Sequence, residues 1–447
     1  MKEMNKPLAH IFPFYYGWVI VGVSLFTLTV AYGIWWSFPI FYVNFLKEFG
    51  WSRAGTATIF TVGSVVYGFG SLVAGVLVDR LGPRRLFPLA CLLMAAGCWI
   101  SSGASEKWHF YAAYGVFLGF GVICAGFVPT TVILSNWFVR KRGTALGIGL
   151  IGNVSPPLLA VPIQHLISAF GWRTSYVILG AVALVVIAPL TGFFMRTRPQ
   201  DLGLEPDGWR RAKKLAGKPG EEISSLKVVS EIVNKEWAET EWTLLKGVKT
   251  YQLWLLMGVM ITLGISAGMI MHHLVALVVD IGHGGAMAAF IFSLAGLLAA
   301  TGRIGGFLSD RLGREVTFTI VAGLFLGSAL ALLIMIWNAQ IWPLYFYAIT
   351  FGLGAGLSSP TFGAAAADLF GGRNFGAILG FLNIGYGVGQ GVGAWIGGAI
   401  FDRTGSYKLA ILTAIPLFVL MGLSFWFAGP RKVRKIIRSS PPILARN

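Results

Sequence analysis

From Tyr16 almost to the C-terminus, long apolar runs alternate with short polar breaks. The runs predict twelve membrane-spanning helices, at 16–45, 54–78, 86–104, 108–136, 144–170, 173–195, 252–281, 286–309, 316–337, 341–368, 375–400 and 406–428. Their length is the reason: ~20 apolar residues cross the hydrocarbon core of a bilayer. Strands of a membrane barrel would alternate apolar and polar side chains, whereas these runs are continuous. The first run is too long for a cleaved signal peptide, and no small-residue cleavage site follows it.

One break is unlike the others. Residues 196–250 are rich in Lys, Glu and Pro, contain RRAKKL and KPGEEISSL, and divide the spans six and six. Across this linker the chain repeats itself. GVLVDRLGPRR after the second span answers GFLSDRLGRE after the eighth, and RGTALG from Arg142 is answered by RNFGAILG from Arg373 at nearly the same offset. The predicted fold is therefore an all-α polytopic membrane protein of twelve transmembrane helices in two six-helix bundles, an architecture of many secondary transporters. Its parts are a first bundle (1–195), a cytoplasmic linker (196–250), a second bundle (251–430) and a basic tail (431–447).

Composition agrees: 56% of the 447 residues are hydrophobic, 12% are charged, and 59 are glycine. The net charge of +17 reads as orientation. Apart from Lys47, Arg53, Lys107, Arg173, Arg403, Lys408 and Arg303, every Lys and Arg lies at the termini, in the linker or in alternate loops. By the positive-inside rule both termini and the linker are cytoplasmic, and nucleic acid is not an expected partner. The tail from Arg431 to Arg438 is expected to anchor that face, with anionic lipid headgroups as its chemical match. Cys91, Cys98 and Cys124 lie inside spans without metal-ligand spacing and read as core residues. No Walker loop, HExxH cluster or GxSxG elbow occurs, so neither an enzyme nor a metal site is expected. Two unlike halves give no charged ring or carbonyl filter for an ion channel.

The repeated loop has a mechanical reading. Gly75 and Gly306 allow close helix approach, Asp79 and Asp310 can cap a neighbouring helix, and Arg84, Arg85 and Arg314 can hold acidic groups opposite. With Arg80 and Arg311 these residues form a candidate gate on the cytoplasmic face. In both halves, and over nearly its whole length, the chain resembles the major facilitator superfamily, which implies alternating access between two bundles without covalent chemistry.

Two further stretches narrow the resemblance. YYGWVIVG from Tyr15 and NWFVRKRGTALGIGLIGNVSPP from Asn136, with Trp137, Phe138, Arg140, Arg142, Gly147, Gly149 and Gly152, are similar to the monocarboxylate transporter family and its bacterial relatives, including oxalate/formate exchangers. The glycines also serve tight helix packing. Arg303 falls where that family carries a substrate-binding arginine in its eighth helix. Independently, a guanidinium keeps its charge, offers a fork matched to carboxylate, and inside a membrane normally faces a cavity. Seven residues before Asp310, it lies ~10 Å from the predicted helix end, deep for snorkelling.

Mammalian members carry an aspartate four residues earlier, where this chain has Ala299. Proton coupling then needs another group, and the seventh span offers His272, His273 and Asp280. Bacterial members resemble this pattern, a His and an Asp seven apart. On a continuous helix His273 and Asp280 share a face and His272 points about 100° away. Helix-rise arithmetic sets His273 ~9 Å and Arg303 ~8 Å on opposite sides of the membrane midplane, so a relay is expected instead of direct pairing.

The eleventh span of the oxalate exchangers adds a lysine, whereas here GAILGFLNIGYGVGQGVGAW has Asn383, Tyr386 and Gln390. A singly charged carboxylate therefore suits the site better. Tyr32, Tyr67, Thr130, Thr131, Asn383 and Tyr386 are further candidates to line it, though hydrogen bonding between helices explains such residues equally well. The function expected is proton-coupled symport of a lactate-, pyruvate- or acetate-like monocarboxylate in a multi-pass protein of the cell (inner) membrane. The protein would act as a monomer, with the proton gradient in place of a cofactor. An oxalate/formate-type anion exchanger and, in a different class, a non-transporting sensor with a carrier fold are the alternatives.

Overall fold

The computed structural model describes residues 13–138, 142–153, 159–207, 230–305, 307–338, 340–371 and 374–436. Arg140, Arg373, most of the linker and the end of the tail lie outside them. The main helices are α1 (Gly17–Phe49), α2 (Arg53–Leu81), α3 (Pro83–Ser102), α4 (Lys107–Trp137), α5 (Arg142–Gly149) and α6 (Ala160–Phe194). After the linker come α7 (Tyr251–Asp280), α8 (Gly285–Ile304), α9 (Arg314–Asn338), α10 (Trp342–Phe370), α11 (Phe375–Thr404) and α12 (Lys408–Ala428).

Among the described residues nine helical stretches are long and apolar enough to cross a membrane. α6 is one of them, yet it spans two predicted runs, because the chain turns at Gly171 (φ 78°) in a conformation open mainly to glycine. α2 and α10 have 29 residues each and fall on predicted spans. Thr56, Thr58, Thr61, Ser64, Tyr67 and Ser71 dilute the apolarity of α2. Two predicted continuous helices are broken. α8 ends at Ile304, and a short helix, Phe307–Leu312, follows a turn at Gly305. α7 is interrupted at His272 and His273.

The described residues divide into two compact units. The first comprises residues 1–221, 268–297 and 391–407, so α1 to α6 are joined by the end of α7, the start of α8 and the end of α11. Its core is aromatic: Phe41 stacks on Tyr176, and Trp35 on Tyr114, whose hydroxyl donates to the Trp35 carbonyl. The two family-like stretches meet here. Tyr15 donates to the Trp137 carbonyl (2.8 Å) and sets its ring edge-on to Phe138, while Tyr16 donates to the Phe194 carbonyl (2.9 Å).

The second unit comprises residues 222–267, 298–390 and 408–447. Here helices approach backbone to backbone. A Cβ on Gly356 of α10 would run into the Ala299 carbonyl of α8, and one on Gly264 of α7 would lie 2.6 Å from the Tyr386 carbonyl of α11. A three-residue antiparallel ladder pairs Ser230–Ile232 with Arg434–Ile436. Trp237, nearer the end of the linker, donates to the Leu369 carbonyl of α10.

Candidate functional site

His273 lies within the first unit, at the break in α7, and is 2% exposed. Its Nε2–H donates to the Ala394 carbonyl of α11 (2.7 Å), which leaves Nδ1 to accept the Tyr407 hydroxyl (3.1 Å) in the neutral ring. The Tyr407 oxygen in turn accepts from Nη1 of Arg53, whose Nη2 lies 2.8 Å from Asp280. His273, which caps the helical segment Leu274–Asp280, and Asp280 are thus joined through Tyr407 and Arg53.

The Arg53 guanidinium also covers the Phe401 ring at 3.7 Å. Burial opposes its charge, but hydrogen bonds to Asp280 and Tyr407 outweigh burial and hold its pKa above the ordinary arginine value. The first turn of α2 shows how tight this junction is. Asp402 of α11 accepts from the backbone N–H of Arg53 (2.7 Å) and of Ala54 (2.8 Å), and Ser52 accepts from Gly55. Thr56 N–H makes the first regular bond of the helix, to the Ser52 carbonyl, so the three N–H groups ahead of it are all satisfied by side chains. Farther along, Thr61 donates to the Gly391 carbonyl (2.7 Å), and a Cβ on Gly398 would sit 2.6 Å from Ala54 N.

His272 goes elsewhere. It is buried between Phe60, at 3.6 Å, and Trp36, stacked at 5.8 Å, and neither ring nitrogen has a hydrogen-bond partner among the described residues. Tyr32 and Tyr67 share a 2.9 Å hydrogen bond, and the Tyr32 oxygen accepts from Phe127 N. Thr131 donates to the Phe127 carbonyl of its own helix, while the buried Thr130 hydroxyl has no partner among the described residues.

In the second unit Arg303 is half-buried in the last turn of α8. The break after Ile304 gives it a position the sequence reading missed: the carbonyl end of a helix, whose dipole favours a cation. Gly302 and the Ala299 carbonyl face α10, so the close packing at this level falls beside Arg303. On α11, Asn383 is exposed, and Gln390 donates to the Tyr386 hydroxyl (3.2 Å).

Of the candidate gate, Arg314 binds Asp368 of α10 at 2.9 Å and donates to Ser309 (2.7 Å). Arg84 donates to the Gly192 carbonyl, and Arg80, Arg85 and Arg311 are exposed. The side chains of Asp79 and Asp310 lie outside the described residues. The repeat itself has a backbone counterpart, for Gly82 (φ 69°) and Gly313 (φ 98°) both end their DRLG segments in the left-handed region.

The family model of the Major Facilitator Superfamily matches residues 23–362 and 304–445. The chain belongs to the major facilitator superfamily. This transporter, of a non-enzymatic class, is similar to monocarboxylate transporter 13 of Bos taurus, 28% identical over 411 residues, 91% of this chain and 88% of the relative. It is also similar to the uncharacterized MFS-type transporter YcxA of Bacillus subtilis (strain 168), at 28% identity over 90% and 92% of the two chains. Human monocarboxylate transporter 2 is 26% identical over 94% and 88%. A bacterial homolog of the human lysosomal transporter Spinster, solved inward-facing and unoccupied, shares the fold with a TM-score of 0.68 at 13% identity, over 94% of this chain and 98% of that one.

Within the transporter, Arg53, Asp402 and Tyr407 are the residues the sequence reading passed over. A signal was present: Asp402–Gly405 reads DRTG, a third form of the DRLG pattern, and Gly405 (φ 68°) again has the left-handed conformation.

Proposed function

We propose that the transporter is a proton-coupled symporter of a small monocarboxylate, of lactate, pyruvate or acetate size, working by alternating access. The observation that carries this reading is Arg303, a permanent cation in the last turn of an apolar helix, in a chain whose relatives bear the name monocarboxylate transporter. Its planar fork suits one carboxylate, and the helix end helps to hold its charge. Asn383 and Tyr386, on α11 of the same unit, are the further substrate contacts in this reading. A proton carried at His273 or Asp280 keeps the loaded protein near its unloaded charge.

In this reading the positive-inside rule sets both termini in the cytoplasm of a cell-membrane protein. No second subunit is required. The test is uptake of labelled lactate, acetate, pyruvate and oxalate into proteoliposomes. Monocarboxylates are expected to enter, and Arg303→Lys is expected to lose most of that uptake although the charge is kept, because the fork is lost. Preference for oxalate, or unchanged uptake in Arg303→Lys, overturns the reading.

A further inference from the structure

Beside the Arg53–Asp280 pair, entirely within the first unit, lies a cleft of about 160 Å³ lined by Val43, Leu46, Lys47, Arg53, Ala276, Val279 and Asp280. By the same measure a single water needs only ~10–15 Å³, so a short organic acid is accommodated. The lining divides by chemistry. Val43, Leu46, Ala276 and Val279 contribute apolar lining, and Lys47 and Arg53 contribute two cations beside the carboxylate of Asp280. This is the complement of a molecule with a short aliphatic tail and one anionic head.

Arg53 already holds a carboxylate, that of Asp280, whose side chain is 35% exposed against 15% for Arg53. The remaining arm of the guanidinium is engaged by Tyr407, so the fork has one carboxylate position in this arrangement. We propose that this cleft is a loading site for a short monocarboxylate, whose head group takes the place of Asp280 on Arg53 as Asp280 takes up a proton. The exchange conserves charge: one carboxylate is neutralised and another arrives. It also frees the end of α7 from the start of α2, which links loading to release of the junction. Among the described residues Lys47 and Arg53 line the cleft with Asp280, and Tyr407, Tyr42, Asp402 and His273 stand behind Arg53, the first three bonded to it and His273 bonded to Tyr407. Of these, Arg53 is in direct contact with Asp280.

The inference rests on reading the protein as a carboxylate carrier, but its test reads binding and not transport. Leu46→Cys, with Val43→Cys as an independent second reporter, is reacted with a maleimide in the full-length protein in nanodiscs. Propionate is the ligand, at pH ~5 and ~7.5, in the wild-type and the Arg303→Lys backgrounds. Propionate at about four times its dissociation constant is expected to slow labelling about fivefold, more effectively at the lower pH, and in both backgrounds. Arg53→Gln should abolish protection, and Asp280→Asn should make it equal at the two pH values. Absence of protection at either pH, protection that survives Arg53→Gln, or a pH dependence that survives Asp280→Asn overturns the proposal. Protection confined to the background with Arg303 intact also overturns it, because binding would then belong to Arg303. Failure of the carrier reading shows separately, as absence of uptake by the wild type.

Discussion

Asp402→Ala isolates what the α2–α11 junction contributes. In the structure Asp402 accepts two backbone N–H groups at the start of α2, 2.7 and 2.8 Å away, although it belongs to α11. A side-chain cap is worth about 0.5–2 kcal/mol, and a carboxylate at the positive end of a helix adds roughly 0.3–1 kcal/mol at exposed sites. Discounted for exposure, the loss is about 1.5 kcal/mol, all of it from the state in which α2 and α11 touch. At 1.36 kcal/mol per factor of ten, the junction should open about tenfold more often. Ser64 is a suitable reporter, since it is buried, its hydroxyl has no partner among the described residues, and a Cβ on Gly391 would lie 3.3 Å from the Ser64 Cβ. Maleimide labelling of Ser64→Cys, measured against the parent with its three buried cysteines, should therefore accelerate about tenfold in Asp402→Ala. The control is Ser52→Ala, which removes a cap of similar size that α2 carries itself, and so weakens the helix whether or not the junction is closed. An unchanged rate in Asp402→Ala, or equal acceleration in both variants, would refute the reasoning.

Gly398→Val should prevent closure outright, because any Cβ at this position lies 2.6 Å from Ala54 N and 2.7 Å from its Cα, and backbone cannot swing aside as a side chain can. Labelling of Ser64→Cys should then be fast and insensitive to Asp402→Ala; slow labelling would contradict the packing argument. Arg314 and Asp368 are 13% and 15% exposed at the side chain, so a double-mutant cycle of Arg314→Gln and Asp368→Asn, read by thermal unfolding in detergent, should give a coupling of about 1–2 kcal/mol. The same cycle on Arg173 and Glu48, 40% and 42% exposed, should give about 0.5 kcal/mol or less. Equal couplings would mean that burial does not decide the strength of these pairs.

The spans were legible because each is an apolar run of membrane length, and the repeated DRLG loops were legible because a tight turn requires glycine. The breaks in α7 and α8 were not. Two adjacent histidines do not forbid a helix, and it is the hydrogen bonds of His273 to α11 and Tyr407 that make the break favourable. At Arg303 the glycines on either side, Gly302 and Gly305, hinted at an interruption that apolarity concealed. The α2–α11 junction was hidden for a different reason. Charged residues at span ends are routine, so Arg53 and Asp402 looked like ordinary interfacial residues, and the 349 positions between them leave no periodicity to detect. The meeting of Tyr15 with Trp137 and Phe138 was likewise invisible, though both stretches had drawn attention on their own.

The central claim is coupled movement of one carboxylate with one proton, and the most direct measurement is uptake of labelled lactate into proteoliposomes with an inward proton gradient, compared with none. The account predicts transient accumulation above the outside concentration when the gradient is present, abolished by a protonophore and by Arg303→Lys. Uptake that is indifferent to the gradient and proceeds only in exchange for an internal anion would contradict it.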